Sequence, residues 1–127
     1  MKVLEELMKV ERAAFENIND SLRVAATLSA RRDSSVYSGH FPDHPVTPGV
    51  LMIQAVVELL SQATGKHLKL QKVNNVKYLA MMEPDDIDDC TLAATITPDN
   101  VATAAYTKAD KTYAKIKLTL TTVSLKL

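Results

Sequence analysis

Val50–Thr64 reads VLMIQAVVELLSQAT, a run in which apolar side chains occupy nearly every side of a helical wheel. Pro48 suits the first helical turn, where its missing N–H removes no hydrogen bond, and Gly65 suits the left-handed position that ends a helix. A helix that is apolar all round has to be surrounded by other elements. The sequence therefore predicts one long central helix buried in the core.

The segments on either side of this helix show the two-residue alternation of β-strands. Ser21–Arg31 alternates apolar with polar or small residues, and the chain after the helix has further such runs, separated by the turn signals PDDIDD, PDN and ADK. Residues 2–16 carry an amphipathic pattern that fits either a terminal helix or a strand preceded by a turn. One helix with five or six consecutive strands predicts an α+β fold, with an antiparallel sheet laid against the helix.

The composition limits the number of domains and the kinds of partner. The 127 residues are 46% hydrophobic and fit a single domain over residues 1–127. Fifteen basic and fifteen acidic residues cancel, which argues against binding to a nucleic-acid backbone. No signal peptide and no run of about eighteen apolar residues is found, so we expect a cytoplasmic protein that binds no membrane. The single cysteine, Cys90, is expected to be a small buried side chain.

The loop before the helix is stiff and contains a histidine. Prolines at positions 42, 45 and 48 fix φ and restrict the residues before them, so that His40 is preorganised. Gly49 permits close approach of a ligand, and its N–H lies among the unpaired donors at a helix start. A histidine beside such donors suits removal of a proton next to a carbonyl, with the N–H groups holding the enolate-like oxygen. The alternative is a stiff entry turn whose histidine bonds the backbone.

The run His40–Leu51, HFPDHPVTPGVL, resembles the active-site segment of the hot-dog-fold β-hydroxyacyl-acyl-carrier-protein dehydratases of bacterial fatty-acid synthesis. The resemblance continues through Gln62–Gly65 and Val73–Tyr78 and covers about residue 21 to the C-terminus. It implies a hot-dog fold, in which an antiparallel sheet wraps around the Val50–Thr64 helix. It also implies a homodimer, or a higher homo-oligomer built from such dimers, in which two subunits share each active site, and it implies no metal or organic cofactor.

The same resemblance implies roles for individual residues. His40 would remove the α-proton of a β-hydroxyacyl thioester, and the N–H of Gly49 would polarise the thioester carbonyl. The implied partner is the acyl carrier protein that holds the acyl chain. The substrate is expected to contact the apolar residues of the segment, namely Phe41, Pro48, Val50 and Leu51. Met52, Met81 and Met82 are expected to fill the core or line the acyl tunnel.

Gln54 departs from the pattern of this family. The dehydratases carry a glutamate or an aspartate fourteen residues after the histidine, where it serves the departing hydroxyl from the partner subunit. An amide cannot supply a proton at neutral pH. Glu58 lies one turn further along the same helix face, where the family tends to carry glutamine, so the pair is transposed. Both are candidate catalytic residues.

Three roles are open for Glu58. It reaches the site directly, it acts through Gln54 or a water, or it has a structural role, in which it balances a buried polar network or accepts from a backbone N–H or from a lysine of the partner. Two activities are alternatives to dehydration: a thioesterase that uses water held by Gln54 or Glu58, and a non-catalytic acyl-binding partner subunit.

Other polar residues are secondary candidates. His44 is expected to face solvent or line the entrance, and His67 to lie at the surface. A basic run is a candidate docking surface for an acidic carrier protein or the solvated face of a strand, and consists of Lys66, Lys69, Lys72 and Lys77, with Arg31 and Arg32. The acidic PDDIDD segment is expected to be a solvated turn.

Overall fold

The computed structural model of the protein describes residues 2–39 and 45–124. It shows a six-stranded antiparallel sheet packed against one long helix. The helices are α1 (Val3–Glu6), α2 (Ser35–Gly39), α3 (Gly49–Thr64) and α4 (Pro84–Ile87). The strands are β1 (Met8–Ile18), β2 (Ser21–Ala30), β3 (Leu68–Tyr78), β4 (Thr91–Ile96), β5 (Val101–Lys108) and β6 (Lys111–Thr122). Their order in the sheet is β1-β2-β4-β5-β6-β3. The predicted α+β architecture is confirmed.

Helix α3 ends as predicted and begins slightly differently. Gly65 follows it in the left-handed conformation with φ of 69°, and its N–H donates to the Ser61 carbonyl at 3.0 Å. Pro48 is the N-cap, with extended ψ of 136°, so it precedes the first turn instead of lying within it. Among the described residues, no helix is long and apolar enough to cross a membrane.

The expectation that α3 is surrounded on all sides is wrong for the single chain. Met52, Val56 and Leu60 are buried against the sheet, whereas Val50 is 69% exposed and Gln54 is only half-buried. The reason is geometric, because one layer of sheet covers one side of a helix and leaves the opposite stripe to solvent or to a partner.

The amphipathic N-terminal segment forms a short helix and then an edge strand, so the helical alternative for residues 2–16 is wrong beyond α1. Asn19 and Asp20 both have positive φ, 49° and 67°, and they form the two-residue turn that joins β1 to β2. Two successive residues with positive φ match the twist of a β-hairpin. The antiparallel pairing of β1 with β2 begins next to this turn, where Ile18 lies opposite Ser21. Edge pairing therefore decides the conformation of β1.

The core lies between α3 and the inward-facing side chains of the sheet, with alternate residues of β2, β4, β5 and β6 buried. Cys90 is among the fully buried residues, which confirms its prediction, and burial raises the pKa of its thiol to about 12.

The PDDIDD segment is not only a solvated turn, because it contains α4. Glu83 and Asp86 form a capping box at the start of this helix, and Asp88 accepts a hydrogen bond from the Ala30 N–H at 2.9 Å. The capping box stabilises the start of α4, and the bond from Ala30 ties the segment to the end of β2.

Candidate active site

The chain enters α3 through a segment pinned on two sides. The N–H of Thr47 donates to the carbonyl of Met82 at 2.7 Å, and the Thr47 hydroxyl lies 3.2 Å from the hydroxyl of Tyr37. Both contacts fix the position at which the helix begins. The predicted base His40 and its neighbours Phe41 and His44 lie outside the described residues.

The first residue of α3 offers a free backbone donor. The N–H groups of Leu51 and Met52 both donate to the Pro48 carbonyl, at 3.0 and 3.2 Å. Within the described part of the chain, the N–H of Gly49 has no acceptor. It therefore remains available to an oxygen of a ligand, at the end of the helix where partial positive charge collects.

The ring of Tyr78 fills the space beside the Cα of Gly49, so a side chain at residue 49 would require this ring to move. A Cβ added to Gly49 would lie 2.5 Å from the Tyr78 hydroxyl oxygen and 2.9 Å from Cε1. Since Tyr78 ends β3, its ring brings the end of that strand against the start of α3. The sequence pattern around Tyr78 predicts only a strand and gives no sign of this contact.

A cavity of about 370 Å³ lies beside this contact, and its walls include Gly49, Met52, Tyr78, Met81 and Met82. All three methionines expected in the core or the tunnel thus border it. The predicted substrate contacts Pro48, Val50 and Leu51 flank Gly49 in the chain but are not among the described residues that line this cavity.

The second turn of α3 is anchored to the sheet. The hydroxyl of Tyr106, on β5, donates to the Met52 carbonyl at 2.7 Å. Burial holds the pKa of this phenol well above its usual value, so the hydroxyl stays a donor at neutral pH. The wall of the cavity is consequently rigid on the side of Met52.

Gln54 and Glu58 are brought together, and Glu58 also holds α1. The Glu58 carboxylate accepts from the N–H of Val3 at 3.0 Å and from the N–H of Leu4 at 2.9 Å. Its Oε2 accepts a third hydrogen bond, 3.1 Å long, from Nε2 of Gln54. Glu58 is thus a structural acceptor for two backbone N–H groups, and it is also in direct contact with Gln54.

The contact with Glu58 orients the amide of Gln54. A carboxylate only accepts hydrogen bonds, so the nitrogen of the amide has to point toward it. Oε1 of Gln54 and the second N–H of Nε2 are left for other partners. Among the described residues, neither has a hydrogen-bond partner.

The two arginines of the basic run are engaged within the chain. Arg32 forms ion pairs with Asp85 and Asp88, and Arg31 donates through Nη2 to the Leu4 carbonyl at 3.3 Å. The lysines on β3 are exposed, and Lys77 lies directly opposite Lys115 of β6. The basic surface therefore extends onto β6, a feature that only the strand register makes visible.

Exposed apolar residues cluster along β3 and around the start of α3. Strand β3 is at the edge of the sheet, and all but two of its residues are exposed. The exposed apolar residues of this region are Val50, Leu70, Val73, Tyr78, Leu79 and Met81. Together they form what we call the β3 face.

The chain is similar to known dehydratases. Residues 16–117 match the family described as ApeI-like, ApeI dehydratase. A 3-hydroxyacyl-acyl-carrier-protein dehydratase FabZ from Clostridium acetobutylicum is 32% identical over 79 residues, which cover 57% of this chain and 56% of that protein. One from Rickettsia felis is 28% identical over 85 residues, 61% of this chain and 57% of that protein. The matched region thus spans little more than half the length of these relatives.

Solved structures show the same fold. An uncharacterized protein from Erwinia carotovora subsp. atroseptica superposes with a TM-score of 0.72 at 19% identity, covering 92% of this chain and 98% of that one. The dehydratase heterocomplex ApeI:P from Xenorhabdus doucetiae gives a TM-score of 0.64 at 21% identity, covering 88% and 96%. The predicted hot-dog fold is therefore confirmed.

Proposed function

The chain belongs to the ApeI-like dehydratase family, and from that premise we propose that it is a hydro-lyase that removes water from a β-hydroxyacyl thioester carried by an acyl carrier protein. The observation that carries the proposal is the N–H of Gly49, which has no acceptor among the described residues and belongs to a residue that lines a largely apolar cavity. Gly49 stands in the same short motif as the His-Phe-Pro segment. The proposed compartment is the cytoplasm.

In the proposed reaction, His40 takes the α-proton while the N–H of Gly49 stabilises the negative charge that develops on the thioester oxygen. The bond between the β-carbon and its hydroxyl then breaks, a carbon–carbon double bond forms, and the hydroxyl leaves as water. Gln54 has no proton to give, and the Glu58 carboxylate already accepts three hydrogen bonds. The proton of the departing water therefore comes from the imidazolium of His40.

Gln54 orients the departing hydroxyl in this scheme, and Glu58 orients Gln54. The free Oε1 of the amide accepts a hydrogen bond from the β-hydroxyl, and the second N–H of Nε2 can donate to its oxygen. Glu58 acts through Gln54 and does not touch the substrate. It is thus a positioning residue that also holds α1.

An assay of both directions tests the proposal. The purified protein is incubated with a β-hydroxyacyl carrier-protein thioester, or with the corresponding enoyl thioester, and the conversion is followed by mass spectrometry. We expect the two thioesters to interconvert without release of free thiol. Thiol release without interconversion would identify a thioesterase, and no reaction in either direction would exclude both enzymes for these substrates.

Restoring the family's arrangement of the two side chains is expected to accelerate the reaction. The double variant Gln54→Glu/Glu58→Gln places a carboxyl group where the leaving hydroxyl is proposed to lie, and we expect kcat to rise by about 10²-fold, the lower range of general acid catalysis. Gln54→Glu alone should gain less, because two carboxylates would then face each other at i and i+4. If the double variant is no faster than the wild type, Gln54 does not contact the hydroxyl.

A non-catalytic partner subunit is the second candidate. It is favoured by the absence of a free carboxylate at Gln54 and by the structural use of Glu58. The structural neighbour ApeI:P is a heterocomplex, so an assembly of unlike subunits is within the range of this fold. Wild-type protein without activity, together with an active Gln54→Glu/Glu58→Gln variant, would support this candidate over the enzyme.

The β3 face is the proposed dimer interface. An unpaired edge strand presents free N–H and C=O groups, and pairing two copies of β3 satisfies them while covering the exposed apolar side chains. The proposed assembly is a homodimer.

A charged substitution in the middle of β3 tests this interface. Val73, on β3, is 43% exposed and its counterpart Phe15, on the opposite edge strand β1, is 59% exposed. We expect Val73→Asp to be monomeric in analytical ultracentrifugation and Phe15→Asp to remain dimeric. The reverse pattern would place the interface on β1, and two dimeric variants would rule out β3.

A further inference from the structure

The phenol hydroxyl of Tyr78 differs from those of the other three tyrosines. Tyr37 contacts the Thr47 hydroxyl at 3.2 Å, Tyr106 donates to the Met52 carbonyl at 2.7 Å, and Tyr113 donates to Asp86 at 2.8 Å. Within the described residues, the hydroxyl of Tyr78 has no hydrogen-bond partner. The fold thus leaves one phenol donor unused.

This unused donor lies beside the first residue of α3. The Tyr78 hydroxyl oxygen occupies the space that a side chain at Gly49 would take, 2.5 Å from the position of a Cβ. Tyr78 also lines the cavity, so a ligand bound in the cavity can reach its side chain. One residue of α3 and one of β3, each with a hydrogen-bond donor that has no acceptor among the described residues, therefore lie side by side in the cavity wall.

We propose that Tyr78 donates a second hydrogen bond to the thioester oxygen that the N–H of Gly49 holds. This inference rests on the proposed dehydratase function and assigns it a further catalytic residue. Removal of the α-proton moves negative charge onto the thioester oxygen, and a donor aimed at that oxygen stabilises the charged form more than the ground state. Burial raises the pKa of the Tyr78 phenol, which keeps the donor protonated at neutral pH.

The ring and the hydroxyl of Tyr78 have separate roles. The ring fills the space beside Gly49 and contributes to packing, which phenylalanine would preserve. The hydroxyl has no partner within the described residues, so its removal should leave stability unchanged. Tyr78→Phe therefore removes the proposed hydrogen bond and little else.

Steady-state kinetics of Tyr78→Phe test the proposal, with Tyr113→Phe as the matched control because its hydroxyl binds Asp86 instead of lining the cavity. We expect kcat to fall about 10²-fold, as for other single oxyanion donors, while KM changes less than about threefold. The control should retain wild-type kcat. A kcat for Tyr78→Phe within about twofold of wild type would overturn the proposal.

A spectroscopic measurement separates this proposal from the proposed function. When an aromatic enoyl thioester binds, donors at its carbonyl oxygen polarise the conjugated system and move its absorption to longer wavelength. We expect this shift to be smaller in Tyr78→Phe than in the wild type and unchanged in Tyr113→Phe. An inactive wild type that shows the shift would contradict the dehydratase function alone, whereas equal shifts in wild type and Tyr78→Phe would contradict the role of Tyr78 alone. An inactive wild type without any shift would contradict both.

Discussion

Replacing His40 by alanine is expected to lower kcat/KM for hydration of an enoyl carrier-protein thioester by about 10²–10⁴-fold, the usual contribution of a general base. In the proposed mechanism His40 takes the α-proton and returns a proton to the leaving hydroxyl, so both transfers are lost together. Gln54 and Glu58 provide no substitute, because one is an amide and the other is bound to α1. The initial rate of thioester conversion measures the effect.

His67→Ala is the matched control, because His67 is exposed and lies beyond the C-terminal end of α3. Its rate should equal that of the wild type. Circular dichroism of both variants checks that the fold is retained. A His40→Ala protein with the wild-type rate would exclude His40 as the base and with it the assignment of the motif.

Replacing Glu58 by alanine is expected to lower the free energy of unfolding by about 3 kcal/mol. The change leaves the partly buried N–H groups of Val3 and Leu4 and the amide of Gln54 without their acceptor. Hydrogen bonds to a charged group contribute about 1.5–3 kcal/mol each, so three give about 4.5 kcal/mol at the lower end, and the partial exposure of the site reduces this further, to about 3 kcal/mol. Chemical denaturation monitored by circular dichroism measures the loss.

Glu5→Ala is the control for this substitution. Glu5 lies within α1 and is exposed, so its removal should change the free energy of unfolding by less than about 0.5 kcal/mol. Glu58→Gln keeps one accepting oxygen and should fall between the two. If Glu58→Ala is as stable as Glu5→Ala, the contacts of Glu58 with α1 do not contribute to stability.

The elements that could be predicted from the sequence are those whose pattern reflects burial within this chain. Helix α3 and strand β2 both have a face against the core, and the sequence shows this as an apolar run between Pro48 and Gly65 for α3 and as a two-residue alternation for β2. Strand β1 is exposed on both faces from Glu11 to Ile18 and therefore lacks the alternation on which the prediction depends. The signal in the sequence that indicates a hairpin here is Asn19 followed by Asp20, because both residue types tolerate the left-handed conformation that the turn requires.

The candidate site was predictable only where it is contiguous in the chain. The His-Phe-Pro segment and Gly49 form a local motif, and their spacing was sufficient to suggest the chemistry. The contact of Tyr78 with Gly49 joins the end of β3 to the start of α3, and the contact of Glu58 with Val3 joins the helix to the N-terminal segment. Neither contact has a periodic signature, so both required the three-dimensional arrangement.

The hydrogen bonds from the backbone of α1 to Glu58 bear on the order in which the protein folds. Val3 and Glu58 are 55 residues apart in the chain, whereas the β1–β2 hairpin closes through a two-residue turn. Closing a long loop costs more chain entropy than closing a hairpin, so distant contacts generally form after local ones. We therefore expect α1 to dock only after α3 has formed, so that the amide protons of Val3 and Leu4 report on a late step of folding.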